Sequence, residues 1–170
     1  FDGKTIDLKY VRQVAREIGA ELKASDHYCV VCVKSTVVPG TTDTVVREEL
    51  EQASGKRAGA DFGLGMNPEF LAEGVAVKDF MYPDRVVVGG IDERSTSVLA
   101  DLYAGFAGTP IVKTTPRTAE MIKYTSNAFM ATMISFSNEI ARICDGVGEL
   151  DVAEVMKGVH LMKHLVVKDG

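Results

Sequence analysis

Apolar residues recur at helical spacing in the first part of the chain. After Asp7 they fall three and four residues apart, which predicts a helix over about 8–23 with Asp7 capping its first turn. A second helix is predicted to run to about Ala53, before Gly55, and a third from about 93 to 106. Three residues at the start of the second helix can cap it: Thr41, Thr42 and Asp43.

Short apolar runs with the composition of β-strands separate these helices. They are HYCVVCVK at 27–34, DFGLGMN at 61–67, RVVVGGI at 85–91 and PIVKT at 110–114. The first run is too continuously apolar for a half-exposed strand, so we expect it to be covered on both faces. Alternating strands and helices of this length predict parallel strands joined by right-handed crossovers, which is an α/β sheet with helices on both faces.

Two loops that follow predicted strands carry polar residues, KSTVVPGTT at 34–42 and NPEFLAEG at 67–74. Ligands of α/β sheets bind beyond the carboxyl ends of the strands, so both loops are expected at the ligand-binding edge. Thr36 precedes a glycine-containing turn and a helix start, a place that can bind a phosphate or a nicotinamide ribose, or orient water. Glu69 could serve as a general base or position water, whereas a charge at a helix start is the structural alternative.

The pattern changes at Thr115 and Pro116. Proline suits the first position of a helix, and no helix breaker follows before Gly146, which predicts one helix of about 30 residues. Asp151 and Glu154 then resemble a capping box for a last helix. Four residues share one face of the long helix: Lys123, Asn127, Ile134 and Asn138. A lysine and an amide projecting together can hold an oxygen-rich ligand and stabilise a developing alkoxide, and a solvated helix face is the alternative.

Composition narrows the class of protein. The 170 residues are 46% hydrophobic with a formal net charge of -5, which gives no basic stripe for nucleic acid or for an anionic membrane. Neither an apolar run of the ~20 residues needed to span a bilayer nor a signal-peptide pattern occurs, so we expect a cytoplasmic protein without nucleic-acid or membrane partners.

Cysteine and histidine positions give weak signals for chemistry. Cys29 and Cys32 would point to opposite faces of one strand, so we expect them, like Cys144, to be buried structural thiols. His160 and His164 are four residues apart on a helix, but no acidic third ligand has an obvious place beside them. The sequence therefore predicts no metal site.

Taken in order, three segments resemble the UDP-glucose/GDP-mannose dehydrogenase family. They are KSTVVPGTT, MNPEFLAEGVAVKDFMYPDRVVVGG and AEMIKYTSNAFMATMISFSNEIARIC, and the likeness covers essentially the whole chain. The resemblance implies the second half of a Rossmann-like parallel-sheet domain, the C-terminal part of an NAD-binding domain, over 1–114. A long central helix and the start of an all-helical domain for dimerisation and substrate binding, incomplete here, would follow over 115–170.

The resemblance also implies an activity. Enzymes of this family use NAD to oxidise the C6 alcohol of a nucleotide sugar to a carboxylate, in a two-step, four-electron reaction. The implied substrate is UDP-glucose, giving UDP-glucuronate, with GDP-mannose or a UDP-N-acetylhexosamine as alternatives. A homodimer formed through the long central helix is the implied assembly.

Roles for single residues follow from the matching motifs. Thr36 resembles the threonine that contacts NAD and helps orient a catalytic water. Glu69 resembles the glutamate that contacts substrate and assists thioester hydrolysis, and we count it with Thr36 as a cofactor contact. Lys123 resembles the lysine that stabilises oxyanionic intermediates, and Asn127 would support the same oxygen or the water. The other implied substrate contacts, largely through backbone within the loop, are Phe70, Leu71, Ala72, Glu73 and Asn138.

Two features of the family pattern are missing from these 170 residues. There is no G-x-G-x-x-G phosphate loop, and none of the three cysteines lies in a glycine-rich segment of the kind that bears the family's nucleophilic thiol. We therefore expect the 170 residues alone to be inactive. Two other interpretations remain open: a relative with β-hydroxyacid dehydrogenase chemistry, in which the lysine acts as general acid/base, and a non-catalytic module that dimerises through the long helix.

Overall fold

The computed structural model describes residues 6–162 of the chain. It divides into two compact units, Phe1–Thr125 and Ser126–Gly170, which are considered separately below. The first unit contains a four-stranded sheet and the helices packed on it. The strands are β1 (Val30–Val33), β2 (Gly63–Met66), β3 (Val86–Gly90) and β4 (Ile111–Thr114).

The helices follow the predicted order. They are α1 (Lys9–Ala24), a π-helical segment (Thr42–Val46) that continues into α2 (Arg47–Ser54), α3 (Ala76–Met81), α4 (Glu93–Asp101), α5 (Pro116–Val147) and α6 (Val152–His160). Helix α5 is continuous over 32 residues, as predicted, and it extends from the first unit into the second. Helix α4 ends at Asp101, five residues earlier than predicted, because turns replace the helix up to Phe106.

Sheet order is β1-β2-β3-β4, and one pairing differs from the prediction of an all-parallel sheet. Strands β1 and β2 are parallel, as are β3 and β4, but β2 and β3 are antiparallel. A parallel return needs a crossover that packs across the sheet. Helix α3, between β2 and β3, has only six residues and buries none of them. The chain therefore turns back at the edge where β2 ends.

Helices cover both faces of the sheet, as predicted. On one face α1 and α2 pack with β2 around a core that contains Leu50, Phe62 and Leu64. On the other face α4 packs against β3, with Leu99 against Val88. Strand β1 packs on both faces, with Val31 and Val33 against the first core and Val30 and Cys32 against the second. It is only half-buried because it forms one edge of the described sheet.

The expected burial of the cysteines holds for one of the three. Cys144 is buried, Cys32 is partly buried and Cys29 is exposed. Burial raises the pKa of the Cys32 thiol. The difference has the same cause as the partial burial of β1, because Cys29 and Cys32 belong to that edge of the sheet.

Two of the predicted helix caps are present. The Lys9 N–H donates to Asp7 Oδ1 at 2.8 Å, and the Ala153 N–H donates to Asp151 Oδ1 at 2.7 Å. Each aspartate thus satisfies one of the amides that a helix leaves without an intrahelical partner. The second helix has no such cap from its own first residues.

Candidate functional site

The ends of three strands meet at one edge of the sheet. Because β1 and β2 are parallel, the loops 34–42 and 67–74 leave the sheet at the same edge, as predicted. The antiparallel β3 begins there, which brings Arg85 to the same place. Helix α5 begins beside β3, where Ala119 packs against Met66 and Val87. This edge is the candidate site.

Lys123 and Glu69 form an ion pair at the site. Lys123 Nζ lies 3.1 Å from Glu69 Oε1, and the exposed fractions of the two side chains are 8% and 37%. An ammonium that is nearly buried keeps its charge at a fixed place and can stabilise an oxyanion that develops near it. The structure therefore brings together two residues that are 54 positions apart in the sequence.

The pKa of Glu69 is lowered by the contacts around it. The largest cause is the backbone N–H of Leu71, which donates to Glu69 Oε2 at 2.6 Å, and the ammonium of Lys123 adds to it. Partial burial acts in the opposite direction. Both hydrogen bonds favour the charged form, so Glu69 can accept a proton or hold a water rather than act as an acid.

Phe70 lies between two cations. The guanidinium of Arg85 is 4.1 Å from the centre of its ring, and Lys123 Nζ is 5.4 Å away. Both distances are within the range of cation–π attraction. Phe70 also packs on the core formed by Met66, Val87 and Ala119, so its ring anchors the loop to the sheet.

The last four residues of loop 67–74 are exposed, including Leu71, Ala72 and Glu73. Two of its backbone amides are already bonded within the first unit. The N–H of Leu71 donates to Glu69, and the N–H of Ala72 donates to Asp79 Oδ2 at 2.9 Å. Substrate contacts predicted through the backbone of this loop would therefore use groups other than these two amides, or displace their present acceptors.

Thr36 is exposed in loop 34–42, between two positions where the loop is fixed. On one side Lys34 Nζ donates to the carbonyl and the side-chain oxygen of Asn67, at 3.2 and 2.7 Å. Asn67 is buried and donates in turn to the Val87 carbonyl at 2.8 Å. This cluster ties the ends of β1 and β2 together, and Tyr103 also donates to Asn67.

On the other side of Thr36 the predicted cap of the second helix is absent. Thr41 Oγ1 donates to the Val38 carbonyl, and no side chain of the segment caps its amides. Instead the carboxylate of Glu120 accepts the N–H groups of Gly40 and Thr42. The two amides that could have held a phosphate at this helix start are therefore occupied by a protein carboxylate.

Asn127 and Asn138 belong to the second unit. Both lie on α5 and both are exposed. The described geometry of the site therefore rests on residues of the first unit, and the roles predicted for these two asparagines stay predictions.

Three contributors to the site had no sequence prediction: Glu120, Lys34 and Arg85. Glu120 is three residues before Lys123, so it shares a helix face with a residue that was singled out. Lys34 directly follows β1, and Arg85 directly precedes β3. The spacing on α5 and the position at strand ends were signals that could have pointed to them.

Residues 6–162 have neither a metal-ligand cluster nor a membrane-spanning helix. This part of the chain contains no group of three or more His, Cys, Asp or Glu side chains placed to hold a metal ion. His164, half of the histidine pair considered above, lies outside the described residues. None of the helices described over the same range combines the length and hydropathy of a bilayer span.

Two family models match the chain. The NAD-binding domain of the UDP-glucose/GDP-mannose dehydrogenase family matches residues 2–107, and the central domain of the same family matches residues 117–168. The mixed sheet bounded by helices agrees with the first match, which is an NAD-binding domain of a dehydrogenase family. The chain belongs to the UDP-glucose/GDP-mannose dehydrogenase family.

Individual relatives carry two substrate names. A UDP-glucose 6-dehydrogenase of Haloferax volcanii is 44% identical over 164 residues, which are 94% of this chain and 38% of the relative. A GDP-mannose 6-dehydrogenase of Pseudomonas aeruginosa is 44% identical over 151 residues, which are 89% of this chain and 34% of the relative. The chain thus spans little more than a third of these relatives.

Solved structures that resemble the chain carry the same two enzyme names. A ternary complex of GDP-mannose dehydrogenase from Pseudomonas aeruginosa has a TM-score of 0.90 at 41% identity and covers 95% of this chain and 37% of that one. The structure of a UDP-glucose dehydrogenase from Pyrobaculum islandicum has a TM-score of 0.84 at 42% identity. The match covers 93% of this chain and 35% of that dehydrogenase chain. These likenesses confirm the fold class.

The donor groups at the edge suit part of an NAD molecule. Ser35 and Thr36 present exposed hydroxyls beyond the carboxyl end of β1, where a ribose can exchange hydrogen bonds with them. The amides of Gly40 and Thr42 are bonded to Glu120, so they are not available for its pyrophosphate. These residues fit the ribose side of the cofactor.

Proposed function

We propose that the protein to which this chain belongs is an NAD-dependent nucleotide-sugar 6-dehydrogenase, with UDP-glucose oxidised to UDP-glucuronate. The observation that carries the proposal is the nearly buried Lys123 ammonium, 3.1 Å from Glu69 at the ligand edge of a matched NAD-binding domain. A fixed positive charge there is suited to an oxygen that gains negative charge during oxidation of an alcohol.

Lys123 would act on the C6 oxygen of the sugar. The ammonium is held between Glu69 and the face of Phe70, so it is positioned before substrate binds. Its role would be to stabilise the alkoxide-like oxygen while NAD, when bound, takes up the hydride from carbon. Asn127 would add an amide hydrogen bond to the same oxygen or to a water.

Glu69 and Thr36 would serve the hydrolytic half of the reaction. The lowered pKa of Glu69 keeps it as a carboxylate, which can orient a water and accept its proton. Thr36 would hold the ribose and help to orient the same water. The backbone around Phe70, Leu71, Ala72 and Glu73 would form one wall for the sugar nucleotide, with Asn138 as a further contact.

Three alternatives concern the substrate. GDP-mannose has equal support from identity, because relatives with either substrate name are 44% identical to this chain. A UDP-N-acetylhexosamine has weaker support, since a UDP-D-ManNAc dehydrogenase structure from Pyrococcus horikoshii is 29% identical, with a TM-score of 0.82. A β-hydroxyacid is the third alternative, and the NPEFLAEG loop argues against it.

The experiment uses the protein expressed over its complete reading frame. NADH formation is followed with UDP-glucose, GDP-mannose, a UDP-N-acetylhexosamine and a small β-hydroxyacid. Two NADH for each UDP-glucose consumed, with kcat/KM highest for that sugar, is the expected result. A higher kcat/KM for GDP-mannose than for UDP-glucose would show that GDP-mannose is the preferred substrate. Turnover of the hydroxyacid alone would overturn the proposal.

A homodimer formed through α5 is proposed as the assembly. Its support is a row of apolar residues at alternating four- and three-residue spacing in the second unit. They are Phe129, Met133, Phe136, Ile140, Ile143 and Val147. Such spacing places them along one side of a helix, which is the pattern that pairs helices. The cytoplasmic location and the division of domains at 114/115 stay predictions.

A further inference from the structure

Glu120 is a buried acid whose partners lie far away in the sequence. Its relative exposure is 0%, and its two oxygens accept backbone N–H groups of Gly40 and Thr42, the latter at 2.8 Å. These donors are 80 and 78 positions away along the chain. Helix α5 is thereby bonded to the loop that follows β1.

The physical cost of burying a carboxylate indicates that these bonds matter to the fold. An unpaired carboxylate out of water is strongly unfavourable, and two charge-assisted bonds from a helix start offset that cost. Thr41 Oγ1 is bonded to Val38, and Thr42 Oγ1 has no hydrogen-bond partner in the described part of the chain. Removing Glu120 would take away the acceptor to which the amides of Gly40 and Thr42 are bonded.

Glu120 also links the Lys123–Glu69 ion pair to the loop that carries Thr36. Lys123 lies three residues later on the same face of α5, and it contacts Glu69. Thr36 lies between the Lys34–Asn67 contact and the Glu120 contact. Val37, inside this interval, is 1% exposed and pins the backbone next to Thr36. One turn of α5 therefore carries the lysine and also fixes the loop of Thr36.

We propose that Glu120 is a positioning residue that sets the place of the Thr36 loop relative to Lys123. Its contribution to catalysis rests on the proposed function, since it acts through Thr36 on cofactor binding. Glutamine at this position keeps the size of the side chain but turns an amide NH₂ group toward one of the two donors. One loop amide then loses its acceptor, which weakens the attachment of the loop to α5.

The test compares Glu120→Gln with a matched control, Glu49→Gln, in the protein expressed over its complete reading frame. Glu49 is also a buried carboxylate, but its partners are the side chains of Arg12 and Arg16. Glu120→Ala is measured beside Glu120→Gln to remove both acceptors. Glu120→Asp, whose shorter side chain does not reach the amides, is the third variant at this position. Circular dichroism identifies which of the variants are folded.

Two readouts are expected to change together. Hydrogen exchange of the amides between 38 and 44 should quicken about 10-fold in the Glu120 variants, with β2 and β3 unchanged. The KM for NAD should rise about 10-fold, while the KM for the nucleotide sugar stays within about twofold, because displacement of a positioned group by an ångström can cost that much or more. Glu49→Gln should change neither readout.

The outcomes separate this inference from the proposed function. Unchanged exchange of the loop in folded Glu120 variants overturns the inference, whatever the activity. Equal rises in both KM values, or faster exchange throughout the sheet, overturn it by showing general loosening. A wild type without dehydrogenase activity overturns the proposed function, and the exchange measurement still decides whether Glu120 holds the loop.

Discussion

Among single residues, Lys123 and Glu69 are linked most directly to chemistry. Each stabilises the charge of the other, and the Leu71 amide adds a second donor to Glu69. The pair differs from a surface ion pair in that the ammonium is nearly withdrawn from water. A change in one partner should therefore alter the properties of the other.

Replacing Lys123 by methionine should raise the pKa of Glu69, because the ammonium is one of the groups that lower it. The pKa remains below its ordinary value, since the Leu71 N–H is the larger cause. Carbon NMR of the Glu69 carboxyl during an acid titration measures the change. Lys113→Met, which removes an exposed lysine from β4, is the control and should leave the titration unchanged. A Glu69 pKa that stays constant in Lys123→Met would show that the ion pair is absent in solution.

The same substitution should slow the proposed reaction. Removal of one preorganised donor to an oxyanion costs roughly 100-fold or more in kcat, and Lys123→Met removes a full charge. The measurement is steady-state NADH formation by the protein expressed over its complete reading frame. Lys113→Met should keep the wild-type rate. If kcat of Lys123→Met fell by less than tenfold, Lys123 would not be the group that stabilises the oxyanion.

At the scale of elements, α4 packs closely on β2 because Gly65 of that strand has no side chain. A Cβ added at Gly65 would lie 2.5 Å from Leu99 Cδ1 and 2.8 Å from the Gly89 carbonyl oxygen. Gly65→Ala should therefore lower the free energy of unfolding by about 1–3 kcal/mol, the usual cost of overpacking a core. Urea denaturation measures it.

The control for this prediction is Gly146→Ala. Gly146 lies within α5, and a Cβ added there has no atom within 4 Å. Alanine in a helix is more stable than glycine by about 0.5–1 kcal/mol, so this variant should be neutral or stabilised. Equal effects of the two substitutions would contradict the close approach of α4 to β2.

Helices α1 and α2 are joined by Glu49, which bonds to Arg12 and Arg16. Hydrogen bonds from Arg16 and then Arg12 lower the Glu49 pKa from 4.5 to about 2. A carboxyl with a lowered folded pKa stabilises the protein above its unfolded pKa and loses that contribution as the pH falls. The free energy of unfolding should thus fall between pH 4.5 and about 2.

Glu49→Gln isolates this contribution. The stability difference between wild type and Glu49→Gln should be largest above pH 4.5 and should shrink toward pH 2. Urea denaturation across that range measures it. Glu48→Gln, which changes the exposed neighbour on α2, should parallel the wild type. A difference independent of pH would mean that the arginine contacts do not persist in solution.

At the scale of the whole molecule, the open question is assembly through α5. The apolar row of the second unit includes Phe129 and Phe136, which are 60% and 49% exposed in the single chain. Burying such side chains against a second copy would be favourable, because each removes a large apolar area from water. The protein should therefore have the mass of a dimer in light scattering.

Phe136→Glu should shift this mass toward that of a monomer, because it places a charge in the middle of the apolar row. Ala131→Glu is the matched control: it adds the same charge to the same helix on the side away from Phe136. It should leave the mass unchanged. A monomeric wild type, or equal loss of mass in both variants, would contradict pairing through this row.

Much of the architecture follows from patterns of neighbouring residues. Helical periodicity predicted α1, and the absence of helix breakers after Pro116 predicted the uninterrupted α5. Local capping by Asp7 and Asp151 was found as expected. The two loops at the ligand edge were predicted because parallel strands send their carboxyl ends to one side. The helices and their caps depend on residues close together in the chain, so the sequence by itself determines them. The place of the two loops follows from the strand–helix alternation, which the sequence also shows.

Only the tertiary structure decided which distant residues meet. The antiparallel β2–β3 pairing, the Glu69–Lys123 contact and the capping of one helix start by Glu120 join segments between 20 and 80 positions apart. Nothing in local spacing encodes such pairs, because they depend on how the sheet directs its strands and where α5 crosses its edge. The NPEFLAEG loop could thus be placed from the sequence, whereas the charge state and partners of its glutamate came from packing.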